Sequence, residues 1–151
     1  MRILTRALAA LLLIAPTLAA AEEGLVTLAS THGVERTMNR LERAVRSAGF
    51  RVFARIDHSR AADRVNIRLR PTQLLIFGKP EAGSVLMQSQ QSVGIDLPLK
   101  YLVWRDAQGR VQIGWNDPAW LMRRHHIGDH AALTQKMSKT LERFASEAAG
   151  L

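Results

Sequence analysis

Apolar residues change their spacing several times along this chain, and each change marks an element. Leu25 to Ala29 is a short apolar run ending in Ser30-Thr31, the pattern of an opening strand that leads to a helix N-cap. Val34, Met38, Leu41, Val45 and Ala48 then fall three and four apart, which predicts an amphipathic helix stopped by Gly49 in the C′ position. From Phe50 to Ile56 the alternation has period two, so a strand with one buried face follows, ended by Asp57-His58-Ser59. A short helix fits Ser59 to Arg64, and the apolar run Thr72 to Phe77 behind Pro71 reads as a buried strand.

Gly78-Lys79-Pro80 turns the chain into a helical stretch from Glu81 to Gln91, with Val85, Leu86 and Met87 expected inward and Gly94 closing it. Leu99–Arg105 and Arg110–Asn116 flank Asp106-Ala107-Gln108-Gly109, a hairpin pattern. Asp117-Pro118 supplies an N-cap and a first-turn proline for a helix from Ala119 to about His126. Asp129 is the expected cap of the last helix, whose stripe is Leu133, Met137, Leu141, Phe144 and Ala148. The order β-α-β-(α)-β-α-β-β-α-α, without internal repeat or linker, predicts an α+β fold: one two-layer domain, a mixed or antiparallel sheet packed against helices.

The first residues follow another logic. Arg2 and Arg6 precede an apolar run from Ala7 to Ala15, and Ala19-Ala20-Ala21 fits a cleavage site. Residues 1–21 therefore read as a signal peptide, residues 22–151 as the mature domain, and the expected location is periplasmic or secreted after cleavage near Ala21. A spanning helix needs about 20 apolar residues, more than this stretch offers. The chain has no Cys, which excludes disulfides, thiolate catalysis and thiolate metal sites.

Charge adds a regional asymmetry. The formal charge is +8, from 21 Lys and Arg against 13 Asp and Glu, and loss of Arg2 and Arg6 lowers it to +6. Between Glu35 and Arg70 stand ten Arg against Glu35, Glu42, Asp57 and Asp63, so this segment carries the whole excess. For an exported protein such clustering suits an acidic protein or an anionic membrane surface better than nucleic acid, and it also suits a plain solvated face.

The phrases Phe53-Ala54-Arg55-Ile56-Asp57-His58, Arg70-Pro71-Thr72-Gln73-Leu74-Leu75-Ile76-Phe77-Gly78-Lys79-Pro80, Gly94-Ile95-Asp96-Leu97-Pro98-Leu99-Lys100 and Trp115-Asn116-Asp117-Pro118 occur in that order. Together they make the chain resemble the domain-of-unknown-function 302 family, from roughly Leu25 to the final helix. The resemblance implies a small α+β domain, often exported, and implies no activity. Some relatives carry Cys in the segment matching Asp96-Leu97-Pro98, which this chain lacks.

Candidate chemistry centres on a few side chains. His58 follows a strand end and is the type suited to proton exchange near neutrality, against a reading in which it merely caps the next helix. Lys79, at a strand-to-helix junction, is placed to meet an anion, although no phosphate-loop pattern accompanies it. Asp96 and Lys100 flank a proline and suggest an ion pair fixing a loop, Asn116 precedes the Asp117 cap, and these three with His58 and Lys79 are the candidate ligand-binding residues. His125, His126 and His130 invite a metal reading because His126 and His130 are four apart, but Gly128 and Asp129 interrupt that spacing, so a surface cluster is the simpler view. Trp104, Trp115 and Trp120 read as core or rim aromatics.

No cofactor fingerprint, serine elbow, HExxH or P-loop is present, so no cofactor is expected and the reading leans away from an enzyme. A binding module for a small anionic or amphipathic ligand ranks first and an interaction protein for an acidic partner or membrane second. A hydrolase or isomerase using His58 with Asp96 or Asp117 ranks third.

Overall fold

The computed structural model describes residues 24–151, so the signal-peptide expectation for residues 1–21 lies outside the described residues. The chain runs β1 (Leu25–Ser30), α1 (Val34–Ser47), β2 (Arg51–Asp57), α2 (His58–Asp63), β3 (Thr72–Gly78) and α3 (Pro80–Ser89). A 3-10 turn (Gln91–Ile95) then leads into β4 (Leu99–Arg105), β5 (Val111–Asn116), α4 (Pro118–Arg124) and α5 (Ala131–Ala149). The sheet order is β1-β5-β4-β3-β2 and every neighbouring pair is antiparallel, which resolves the open choice between a mixed and an antiparallel sheet.

The helices α1 and α5 pack on each other and cover one face of the sheet, as their apolar stripes require. Met38, Leu41 and Val45 from α1 meet Phe144, Ala145 and Ala148 from α5 over Leu75, Phe77, Tyr101, Val103 and Ile113. Tyr101 stacks on Phe77 with centroids 5.1 Å apart, and its hydroxyl donates to the Leu141 carbonyl at 2.6 Å. Burial pushes the Tyr101 hydroxyl's pKa well up, so this donor stays protonated. A smaller cluster, Leu86, Val93, Leu121, Met122 and Ile127, joins α3, the 3-10 turn and α4.

Local signals were followed where a turn demanded them. Gly49 sits at φ +75°, with Phe50 N–H on the Val45 carbonyl and Gly49 N–H on Arg46, the C′ closure its place predicts. Gly109 takes φ +79° in the hairpin. Asp117 caps α4 by accepting from the Ala119 N–H at 2.9 Å.

Other expectations are corrected. Ser30 ends β1 and Gly33, not Ser30-Thr31, is the N-cap of α1, because the Ser30 hydroxyl is occupied by Thr37 and the His32 N–H. His130 rather than Asp129 occupies the cap of α5, and Asp129 instead accepts from the Ser89 hydroxyl. Of Val85, Leu86 and Met87 only Leu86 is fully buried, since three consecutive residues spread around a helix and cannot share one face. Helix α3 stops at Ser89, and Gly94 lies inside the 3-10 turn.

The strand register divides the sheet into two ends. One carries Ser30, Val111, Arg105, Thr72 and Asp57; the other carries Leu25, Asn116, Leu99, Gly78 and Arg51. No helix among the described residues is long and apolar enough to cross a membrane.

Candidate functional site

A cavity of about 640 Å³ opens at the second end of the sheet, between α3 with its 3-10 turn on one side and α5 on the other. Its floor is built by a change of use along α5: Phe144 and Ala148 of the apolar stripe enter the main core, whereas Leu133 and Met137 face the hollow. From the opposite wall come Leu86, Met87 and Leu97. A register shift between Val52 and Ala54 marks a β-bulge on edge strand β2, and Phe53 at the bulge joins the lining.

The charged residues of this lining share one sign. Lys79 projects from the β3–α3 junction, while Lys136 and Arg143, seven residues and so two turns apart, flank the apolar stripe of α5. Among the described residues no acid lines the cavity. Among the described residues none of the three cations has a carboxylate oxygen within 4.0 Å. Lys79 Nζ lies 4.6 Å from the Phe50 ring centroid and Arg143 4.6 Å from that of Phe144, so aromatic faces hold these charges near the apolar wall.

Of the residues singled out from sequence, Lys79 alone is in the cavity wall. Asp96 and Lys100 bracket the wall residues Leu97, Pro98 and Leu99, but the expected Asp96–Lys100 ion pair does not form. Lys100 Nζ instead donates to the backbone carbonyls of Asp96 and Pro98, each at 2.9 Å, and tethers the loop from beneath. Partial burial lowers the Lys100 pKa, with the Asp96 charge opposing the shift.

The Asp96 carboxylate goes elsewhere. His125 Nε2 lies 2.6 Å from Asp96 Oδ2 and Arg124 3.5 Å from Oδ1, while His125 Nδ1 faces the Ser92 hydroxyl at 3.1 Å. With 7% of His125 exposed, this cluster pins the 3-10 turn to the end of α4 and holds the cavity wall. Serine, histidine and aspartate are the types used in nucleophilic hydrolysis, yet Ser92 lies outside the cavity lining.

The remaining candidates separate. His58 sits at the first end of the sheet, opposite both Asp96, which precedes β4, and Asp117, which follows β5, so the three do not converge. Asp57, not His58, caps α2, accepting from the Arg60 N–H at 2.9 Å and the Ser59 hydroxyl at 2.6 Å. Asn116 is exposed at the end of β5.

The three histidines also diverge. His125 bonds Asp96, His126 ends α4 in a left-handed conformation and is exposed, and His130 bonds Ser89. Among the described residues no three His, Cys, Asp or Glu side chains group as a metal site. Sequence reasoning missed Lys136, Arg143 and the Asp96–His125 link. The seven-residue spacing beside the α5 stripe was a usable signal for the first two; nothing local announced the third.

A family model for a domain of unknown function, DUF302, matches residues 26–147. The chain belongs to this family. Proteins named "Fluoride-specific ion channel FluC 1" in Brucella suis biovar 1 (strain 1330) and Brucella abortus biovar 1 (strain 9-941) are each 45% identical over 107 residues, 71% of this chain. The match spans 42% and 40% of those proteins, so this DUF302 chain corresponds to about two fifths of their length. A crystal structure of an uncharacterized conserved DUF302 protein from Bacillus stearothermophilus superposes with a TM-score of 0.72 at 21% identity. It covers 82% of this chain and 97% of that one, which establishes a shared fold.

Proposed function

We propose that this DUF302 domain is an exported binding module for a small amphipathic anion, an apolar chain ending in a carboxylate or similar group. One observation carries the reading: an apolar cavity whose charged lining consists of Lys79, Lys136 and Arg143, with no acid among them. Its volume of about 640 Å³ falls within the roughly 300–1,000 Å³ of small-molecule sites. An apolar tail would displace water from Met87, Leu133 and Met137, and the rim cations would hold the headgroup. The export part of the proposal is supported by the leader pattern of residues 1–21 alone, for which the periplasm or the exterior is the expected destination.

Calorimetric titration with decanoate, decanol, decylamine and acetate tests this. Decanoate is expected to bind and acetate not, with decanol weaker by about tenfold through loss of the charge contribution. Joint replacement of Lys79, Lys136 and Arg143 by Gln should bring decanoate down to the decanol level while leaving decanol unchanged. Equal binding of decanoate and decylamine, or no binding by either, overturns the reading.

A further inference from the structure

Three of the ten arginines between Glu35 and Arg70 are tied down inside the domain. Arg40 donates to the carbonyls of Glu147 and Ala148 at the end of α5, Arg46 pairs with Glu42, and Arg55 ties Glu35, Asn39 and Gln73 together. Those guanidiniums are occupied inside the domain. The other seven have no carboxylate oxygen within 4.0 Å among the described residues, and four of them, Arg60, Arg64, Arg68 and Arg70, fall within one stretch of eleven residues. The Arg70 guanidinium donates to the Arg105 carbonyl at 3.1 Å.

The same stretch exposes its apolar side chains. Val65 is 64% exposed, Ile67 60% and Leu69 45%, interleaved with Arg64, Arg68 and Arg70 on the connection from α2 to β3. That connection has a defined shape at its base. Asn66 at φ +58° closes α2, with Ile67 N–H on the Ala62 carbonyl and Asn66 N–H on Asp63, and the chain then leaves the helix without regular structure until Thr72. Large apolar groups held in water by a fixed backbone gain by leaving it, and four Arg against Asp63 set the sign of what they meet.

We propose that residues 64–70 form a membrane-docking loop that inserts Val65, Ile67 and Leu69 among the headgroups of an anionic bilayer while the flanking arginines bind lipid phosphates. Interleaved basic and apolar side chains suit that interface, where charge attracts and apolar area anchors. A second copy of the chain suits it less, because a two-fold contact through this loop sets its excess positive charge against itself. The surface lies at the opposite end of the sheet from the cavity and stands apart from the anion-binding reading.

Co-sedimentation with phosphatidylglycerol and with phosphatidylcholine vesicles tests the loop. Residues 22–151, the mature domain of the export reading, are used so that the apolar run from Ala7 to Ala15 does not supply the contact. Binding to phosphatidylglycerol alone is expected, and it should fade in about 1 M salt, where charges are screened beyond roughly 3 Å. I67D should lower partitioning about tenfold and R68Q about fivefold, each with an unchanged melting curve because both side chains are exposed. The proposal is overturned by absence of binding to anionic vesicles, by binding indifferent to both substitutions, or by a concentration-dependent dimer abolished by I67D without vesicle binding.

Discussion

The two ends of the sheet spend similar residues in opposite ways. At one end Leu, Met and Phe side chains from α3, α5 and β2 line a hollow with Lys79, Lys136 and Arg143 at its margin. At the other, Val65, Ile67 and Leu69 stand out from the surface among arginines. Both combine apolar area with unneutralised positive charge, one concave and one convex. The concave end accommodates a molecule small enough to be enclosed; the convex end needs a surface larger than itself. What separates them is support: the hollow is braced by helices on two sides, whereas the loop is anchored at its base by the closure of α2 and by the cap at Asp57.

The sharpest way to break this comparison is to damage what both ends share. Phe77 is fully buried, stacks on Tyr101 and meets Phe50 edge-on, and Phe50 in turn lines the cavity. Phe77→Ala should cost about 3–5 kcal/mol in urea unfolding through lost burial and the space left behind. Decanoate uptake and vesicle binding should then fail together.

Selective damage follows. Asp96→Ala removes the carboxylate from His125, which stays buried with Ser92 as its one remaining partner, at a cost of about 1–3 kcal/mol. Hydrogen exchange should accelerate in the 3-10 turn and at the end of α4, with decanoate affinity falling and residues 58–71 unchanged. Acceleration around residues 58–71 would show that the ends are coupled.

The smallest expected effect is Asp57→Ala, about 1 kcal/mol from the lost cap of α2, with vesicle binding weakened and the cavity untouched. Hydrogen bonds from the Ser59 hydroxyl and the Arg60 N–H hold the Asp57 pKa below its ordinary value of 3.8. A lowered folded pKa means that the carboxylate's contribution is complete above 3.8 and disappears as pH falls through the lower folded value. Denaturation curves of the wild type and the variant should therefore differ at neutral pH and converge in acid.

What the sequence alone determined is the set of elements. The periods of Val34 to Ala48 and of Leu133 to Ala148 specify α1 and α5 because a helix face repeats every 3.6 residues, and the runs around Asp106 to Gly109 specify a hairpin because turn chemistry is local. Gly49 and Asp117 were legible for the same reason, each acting on residues within a few positions. Lys79 was legible as a junction residue, though its neighbours in space were not.

The tertiary structure alone decided the partners. Asp96 looks along the chain to Lys100, yet it meets His125, 29 residues away, because α4 returns across the loop. Lys136 and Arg143 become rim residues once α5 lies opposite α3, and His58 is parted from Asp96 and Asp117 by a register that sends them to opposite ends. Period and capping depend on residues a turn apart. A cavity, a buried imidazole's partner and the exposure of a loop depend on where distant elements pack, and no local pattern records that placement.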